Sequence, residues 1–287
     1  MRPTFIGIGA QKCATSWVYR VLEDHPEALL SDPKELHFFS THFDHGYQWY
    51  ERHFSDRAEA KAVGEYSTTY LYSADAAARA HSYNPDFRLI VTLRDPVDRA
   101  YSNHLHEIRV GHLTSGDLSF EACEANNPMY LQQCRYAEHL KKWLVHFPAG
   151  QMLVLFQEEI AANPAAQAAL LYQFLGLDGS HRSPFLHERV NTSAIDRSGV
   201  ARDALRTAAG ALRAVAGERF VRDLKTNTLV KRLRQSNKQD LTDLVPPLRS
   251  ETETRLRDLL ADDMNQLGQL LGRSDFPWKS WRLLKSR

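Results

Sequence analysis

Residues 5–17 read Phe5-Ile6-Gly7-Ile8-Gly9-Ala10-Gln11-Lys12-Cys13-Ala14-Thr15-Ser16-Trp17. An apolar run, two glycines, a cation and two hydroxyl residues that open an amphipathic stretch predict strand, turn and helix in that order. Phe5 to Ile8 is the strand. Gly7 and Gly9 give the backbone room to turn sharply. From Thr15 to Asp24, Trp17, Val18, Val21 and Leu22 share one helical face, and Pro26 closes the helix. A helix that starts straight after a strand presents unpaired N–H groups, and the positive end of its dipole, to an anion. Lys12 adds a mobile cation, and Thr15 and Ser16 add hydroxyl donors. The plain alternative makes Lys12 a surface lysine and Thr15-Ser16 a helix cap. On this segment alone the two stand level.

The loop is similar to a Walker A phosphate loop without matching it. That motif sets its lysine directly before Ser/Thr and after a second glycine. Here Lys12 stands three residues before Thr15, and Ala14 takes the place of the late glycine. The spacing points away from the Mg²⁺ coordination of a nucleoside triphosphatase.

Working outward, short apolar runs alternate with longer helical stretches, which predicts an α/β fold. Ala62 to Glu65 is a weak strand, and Ala74 to Ser82 is a helix stopped at Asn84-Pro85. Phe87 to Leu93 is the strongest strand, apolar enough to be covered on both faces. Arg94 follows it, at the edge where open α/β sheets bind ligands. Asp95 is a good N-cap with Pro96 at the first helical position, and Ser102 lies about two turns on. A guanidinium plus a hydroxyl suits a phosphate monoester. The same arginine can equally pair with Asp95 or Asp98, and an acid after an apolar strand mimics Walker B. Tyr130 to Phe147 is expected to be one long helix, Gln151 to Phe156 a strand, and Pro164 to Leu175 a helix ending at Gly176. Ser180 to Gly199 has no periodicity and is expected to be an ordered loop. Arg202 to Asp240 carries ten Lys/Arg against four Asp/Glu, either a solvated face or a mobile lid over residues 202–247. Glu251 to Leu271 is a closing amphipathic helix. Residues 1–287 are expected to form one domain, with 1–179 an α/β core and 180–287 a loop plus a helical C-terminal subregion.

Composition narrows the function classes. The chain has 287 residues, 36 Lys+Arg against 35 Asp+Glu, and 43% apolar residues. That is globular composition, and the balanced charge argues against a general nucleic-acid binder. No run approaches the length of a membrane span. Three cysteines without CxxC spacing make a zinc site or disulfide framework unexpected and point to a reducing, cytoplasmic setting.

Four segments together carry a resemblance. Lys12-Cys13-Ala14-Thr15-Ser16-Trp17 resembles the 5′-phosphosulfate loop of sulfotransferases that use 3′-phosphoadenosine 5′-phosphosulfate (PAPS). Leu89 to Ser102 resembles their 3′-phosphate motif, with Arg94 and Ser102 at the expected interval. Lys34-Glu35-Leu36-His37-Phe38-Phe39 resembles the segment with the catalytic carboxylate in heparan-sulfate-type members. Gly64-Glu65-Tyr66-Ser67-Thr68-Thr69-Tyr70 resembles a further substrate-side motif. The likeness implies a P-loop-like, three-layer fold whose central sheet is mainly parallel and flanked by helices. It implies PAPS as sulfuryl donor, adenosine 3′,5′-bisphosphate (PAP) as product, a hydroxyl acceptor on a small natural product, lipid or glycan, and no metal. A later 3′-phosphate contact falls, by resemblance, in residues 189–198, with Arg197 the candidate. Two positions depart from the pattern. Many relatives have Gly-Thr where this chain has Ala14-Thr15, and heparan-sulfate members often carry lysine where Tyr66 stands.

Sulfuryl transfer runs in line through a loose transition state, so positioning and electrostatics do most of the work. Lys12 is the expected stabiliser of charge on the leaving phosphate oxygen. Glu35 is the first choice of base by resemblance. His37 is the second by chemistry, its ordinary pKa being near 6.5. Leu36, Phe38 and Phe39 are expected to surround Glu35, and an extended segment would point Glu35 and His37 to one side. Trp17, Tyr47, Trp49, Tyr50, Tyr66 and Tyr70 line an acceptor pocket or, more often for such residues, the core. The rivals are a P-loop kinase using ATP and Mg²⁺, and a non-catalytic nucleotide-binding protein on the same fold.

Overall fold

The computed structural model describes residues 2–54, 59–114, 116–188, 194–196 and 238–282. Its centre is a sheet of β1 (Phe5–Gly9), β2 (Ala28–Leu30), β3 (Ala62–Tyr66), β4 (Arg88–Leu93) and β5 (Met152–Phe156), in the order β2-β3-β1-β4-β5. Every pairing in it is parallel. The described helices are α1 (Thr15–Glu23), α2 (Tyr47–Glu51), α3 (Ala76–Tyr83), α4 (Pro96–Val110), α5 (Phe120–Glu124), α6 (Met129–Gln132), α7 (Tyr136–Leu144), α8 (Gln157–Ala162) and α9 (Pro164–Leu175). Helices Ser250–Leu271 and Lys279–Arg282 follow.

Alternation along the strands builds the layers. Ile6, Ile8, Leu89, Val91 and Leu93 face one apolar cluster, shared with Ala80 of α3, Leu140 and Trp143 of α7, and Met264 and Leu267 of the helix Ser250–Leu271. Phe5, Tyr66 and Ile90 face the other, shared with Trp17, Val18 and Leu22 of α1 and Leu171 and Tyr172 of α9. The outcome is the α/β fold that the alternation of apolar runs predicts, in the three-layer, P-loop-like form that the resemblance implies.

Chain order makes the binding edge. From β1 the chain travels to β2 at one sheet margin, whereas from β4 it travels to β5 at the other. The turns after β1 and β4 therefore lead toward opposite margins, and in open α/β sheets it is between such carboxyl ends that a ligand crevice forms. Ala10 N still donates to Thr92 O at 2.8 Å, so the two strands stay tied up to that edge. Beneath it, Gly7 lies against the ring of Tyr66, where an added Cβ would overlap the ring. Gly7→Ala is expected to lower stability by about 1–3 kcal/mol, read as a lower urea midpoint with an unchanged slope.

Two expectations need correction. Tyr130 to Phe147 is two helices, α6 and α7, interrupted at residues 133–135. The break has polar causes. Gln133 Oε1 accepts from the buried Arg99 guanidinium at 2.7 Å. Asp263 of the helix Ser250–Leu271 accepts the amides of Ala137 and Glu138, both at 3.0 Å, so it caps α7 where a continuous helix would have bonded inward. Within the segment expected to be loop, Ala194–Asp196 pairs antiparallel with Lys238–Asp240. Arg197 and most of residues 202–247 lie outside the described residues. The chain divides into two compact units, one of Met1–Asn103, Glu124–Asn191 and Leu248–Arg287, the other of His104–Cys123 and Thr192–Pro247. The sheet belongs to the first. Among the described residues, no helix is long and apolar enough to cross a membrane.

Candidate active site

The turn after β1 is held in an unusual backbone shape. Lys12 (φ 69°) and Ala14 (φ 61°) are both left-handed, a region costly for a residue with a Cβ. Ala14 occupies the cap position of α1 and gives its first amides no side-chain bond. The helix start is thus presented without a capping oxygen of its own, as an anion site requires. The glycine common at this position in the resembled family has a physical reason in that φ. Ala14→Gly is expected to stabilise the fold by about 1 kcal/mol, seen as a higher melting temperature. Cys13 points inward and is fully buried. Burial pushes its thiol up to about 12, so it stays neutral. The Trp17 indole is also inward and donates to Leu186 O at 2.9 Å.

The turn after β4 is clamped from several directions. Asp95 N donates to Glu158 Oε1 at 3.0 Å, and Tyr136 Oη donates to Arg94 O at 3.0 Å. Cys13 Sγ lies 3.7 Å from the same Tyr136 hydroxyl, which joins the two turns through one buried side chain. Asp95 caps α4 by accepting Val97 N at 3.0 Å, and its other oxygen accepts Ser280 N at 2.8 Å. Both carboxylate oxygens are engaged and the residue is buried, so Asp95 does not play the Walker B part its position imitates. Arg94 keeps a partly exposed side chain, 3.7 Å from the more exposed Asp98 carboxylate. Ser102 is partly exposed further along α4.

The third component is the turn 34–37. Lys34 Nζ lies 3.4 Å from Ser16 Oγ and 3.2 Å from Glu35 Oε1, spanning from α1 to the acid. Thr68 Oγ1 donates to Glu35 Oε2 at 3.0 Å. His37 Nε2 is 3.6 Å from the same oxygen, while its Nδ1 meets Thr69 Oγ1 at 2.9 Å. Burial lowers the His37 pKa, with Glu35 opposing, so the imidazole is neutral near pH 7. The segment is not extended. Glu35 (φ 64°) and His37 (φ 51°) are left-handed, and the turn rather than strand alternation brings them together. Leu36, Phe38 and Phe39 point into the core, so the surroundings of Glu35 are polar instead of aromatic.

Trp17, Tyr50, Tyr66 and Tyr70 are buried and belong to the core, Trp49 is half-buried, and Tyr47 is exposed. Tyr66 Oη donates to Gly9 O at 2.7 Å and meets Thr92 Oγ1 at 3.1 Å, bracing β1 against β4. Lys34, Thr68, Tyr136, Glu158 and the buried Glu65 all shape this edge; the sequence placed Lys34, Glu65 and Thr68 within motifs but gave none of the five a role of its own. Glu65 did leave a signal, an acid inside the apolar run 62–66. Among the described residues, no group of three or more His, Cys, Asp or Glu side chains is arranged to hold a metal ion.

Comparison with known proteins agrees with this geometry. The sulfotransferase domain model matches residues 2–194. The chain is similar to human bifunctional heparan sulfate N-deacetylase/N-sulfotransferase 2, with 29% identity over 204 residues, 64% of this chain and 22% of that protein. It is similar to mouse heparan sulfate glucosamine 3-O-sulfotransferase 3A1, with 32% identity over 185 residues, 61% of this chain and 46% of that protein. It therefore spans less than half the length of these relatives. In fold it resembles a sulfotransferase from Alicyclobacillus acidocaldarius, with a TM-score of 0.69 and 24% identity over 96% of this chain and 98% of that one. The family match takes in all five strands of the central sheet and both turns at its carboxyl edge, and the chain belongs to the sulfotransferase domain family.

Proposed function

We propose that this sulfotransferase takes its sulfuryl group from PAPS and passes it to a sugar hydroxyl, releasing PAP. The observation that carries the reading is the position of Lys34, whose ammonium reaches both Ser16 of the anion-binding turn and the Glu35 carboxylate. A donor anion at the start of α1 and a base for the acceptor are then separated by one side chain.

The residues fit the donor chemically. Lys12, the backbone of residues 13–15 and the Ser16 hydroxyl suit the 5′-phosphosulfate. Arg94 and Ser102, after the neighbouring strand, suit the 3′-phosphate. When bound, PAPS supplies an electrophilic sulfur and a phosphate leaving group. Glu35 takes the acceptor proton, and neutral His37 beside it is the second acceptor for that proton. Lys34 and Thr68 keep the Glu35 oxygens oriented. The heparan sulfate relatives support a glycan acceptor. Tyr66, where such relatives often carry lysine, is buried in the core, so this position offers an anionic acceptor no positive charge.

Calorimetry with PAP tests the donor. Binding that ATP fails to displace at equal concentration is the expected result. No detectable binding at millimolar PAP overturns the proposal, and ATP displacing PAP with Mg²⁺ present favours a kinase instead. Arg94→Ala is expected to weaken PAP about 10- to 100-fold, the loss of one charge-assisted hydrogen bond, and to leave the affinity for adenosine 5′-phosphate unchanged. An equal loss for both nucleotides would contradict a 3′-phosphate role.

A further inference from the structure

Glu65 is an acid in a fully buried strand, on the sheet face of Val63 and among the aromatic core of Phe38, Phe39 and Tyr70. Among the described residues it forms no ion pair. Its carboxylate instead accepts three hydrogen bonds, from Ser67 Oγ at 2.6 Å, from the Tyr70 hydroxyl and from the Leu36 amide. Each of the two hydroxyls spends its only proton on Glu65 and is thereby turned to accept from the backbone above. Ser67 Oγ accepts His37 N at 2.9 Å, and Tyr70 Oη accepts Phe39 N at 3.3 Å. One buried carboxylate thus organises the amides of Leu36, His37 and Phe39. Those amides bracket a turn in which Glu35 and His37 both hold a left-handed conformation that non-glycine residues disfavour.

We infer that Glu65 is a positioning residue, whose carboxylate locks the 35–37 turn so that Glu35 is held toward the acceptor. The inference rests on the proposal that Glu35 is the base. Burial pushes Glu65 up to about 7, while the Ser67 and Tyr70 donors pull the other way. A glutamine here keeps the volume but offers an N–H₂ to one of three groups that are themselves donors, so the network cannot be satisfied in its present sense.

The test is PAP release from PAPS, with a neutral N-acetylglucosamine oligosaccharide or water alone as acceptor, in a double-mutant cycle. Glu65→Gln is expected to lower kcat about 100-fold, as a misplaced catalytic group does, with PAP affinity unchanged by calorimetry. Ser67→Ala, which frees the His37 amide and removes one of the three donors to Glu65, is expected to lower kcat about 10-fold. In a Glu35→Gln background neither substitution should reduce turnover further, because the group they position is gone. The same fold-loss in both backgrounds, or a wild-type kcat in Glu65→Gln, overturns the inference while leaving Glu35 as base. Full activity in Glu35→Gln overturns the base assignment and this inference with it. If Glu65→Gln does not fold, Ser67→Ala and Tyr70→Phe run the same cycle with the same criteria.

Discussion

Replacing Lys12 with alanine is expected to reduce turnover about 100- to 1000-fold, the usual cost of removing a donor that meets developing charge, with a far smaller loss of PAP affinity. Lys12 sits in the turn that leads into α1, and the Lys34 ammonium reaches Ser16 in the first turn of that helix. As the sulfur–oxygen bond breaks, negative charge grows on the phosphate oxygen left behind. An ammonium at that point gains most in the transition state, so its removal falls on kcat. Alanine is a fair probe, since neighbouring Ala14 already holds a left-handed φ of 61°. Single-turnover quench with PAPS measures the chemical step, and calorimetry with PAP measures binding. A mutant that loses affinity but keeps its single-turnover rate would move Lys12 from catalysis to binding and leave the charge on the leaving oxygen without its assigned partner.

The second large effect is expected from Glu35→Gln, a loss of about 100- to 10,000-fold in kcat at unchanged PAP affinity. Glutamine retains an oxygen for Thr68 or Lys34 but cannot take the acceptor proton. The neighbouring imidazole makes the comparison informative. His37 is kept neutral by burial and lies 3.6 Å from the acid, so it is chemically able to do the same work. His37→Gln is expected to cost less than Glu35→Gln. The opposite order, measured on folded variants of equal PAP affinity, assigns the proton to His37 and makes Glu35 its electrostatic partner.

What was legible in the chain was local. The turn from β1 into α1 and the start of α4 announce themselves through Gly7, Gly9, Lys12, Thr15, Asp95 and Pro96, because strand, cap and proline signals act over a few residues. The three-residue β2 left no comparable pattern. Nor did the turn at Glu35 and His37, whose left-handed backbone is imposed by Glu65, Ser67 and Tyr70 some thirty positions on. The interruption before α7 was hidden for the same reason, since Asp263, the residue that causes it, lies more than 120 positions away. Polar contacts between distant segments have no periodicity to read, and at this edge they decide the shape of the site.

The clamp on the Arg94 turn has a temporal consequence. Asp95 is closed from one side by Glu158 and from the other by the Ser280 amide, and the Trp278 indole donates to Glu158 at 3.1 Å. During synthesis, the sheet and the Lys12 turn emerge well before residues 278 and 280 do. A nascent chain still short of position 280 therefore has the Arg94 turn without the Ser280 amide and the Trp278 indole that hold Asp95 and Glu158 in place.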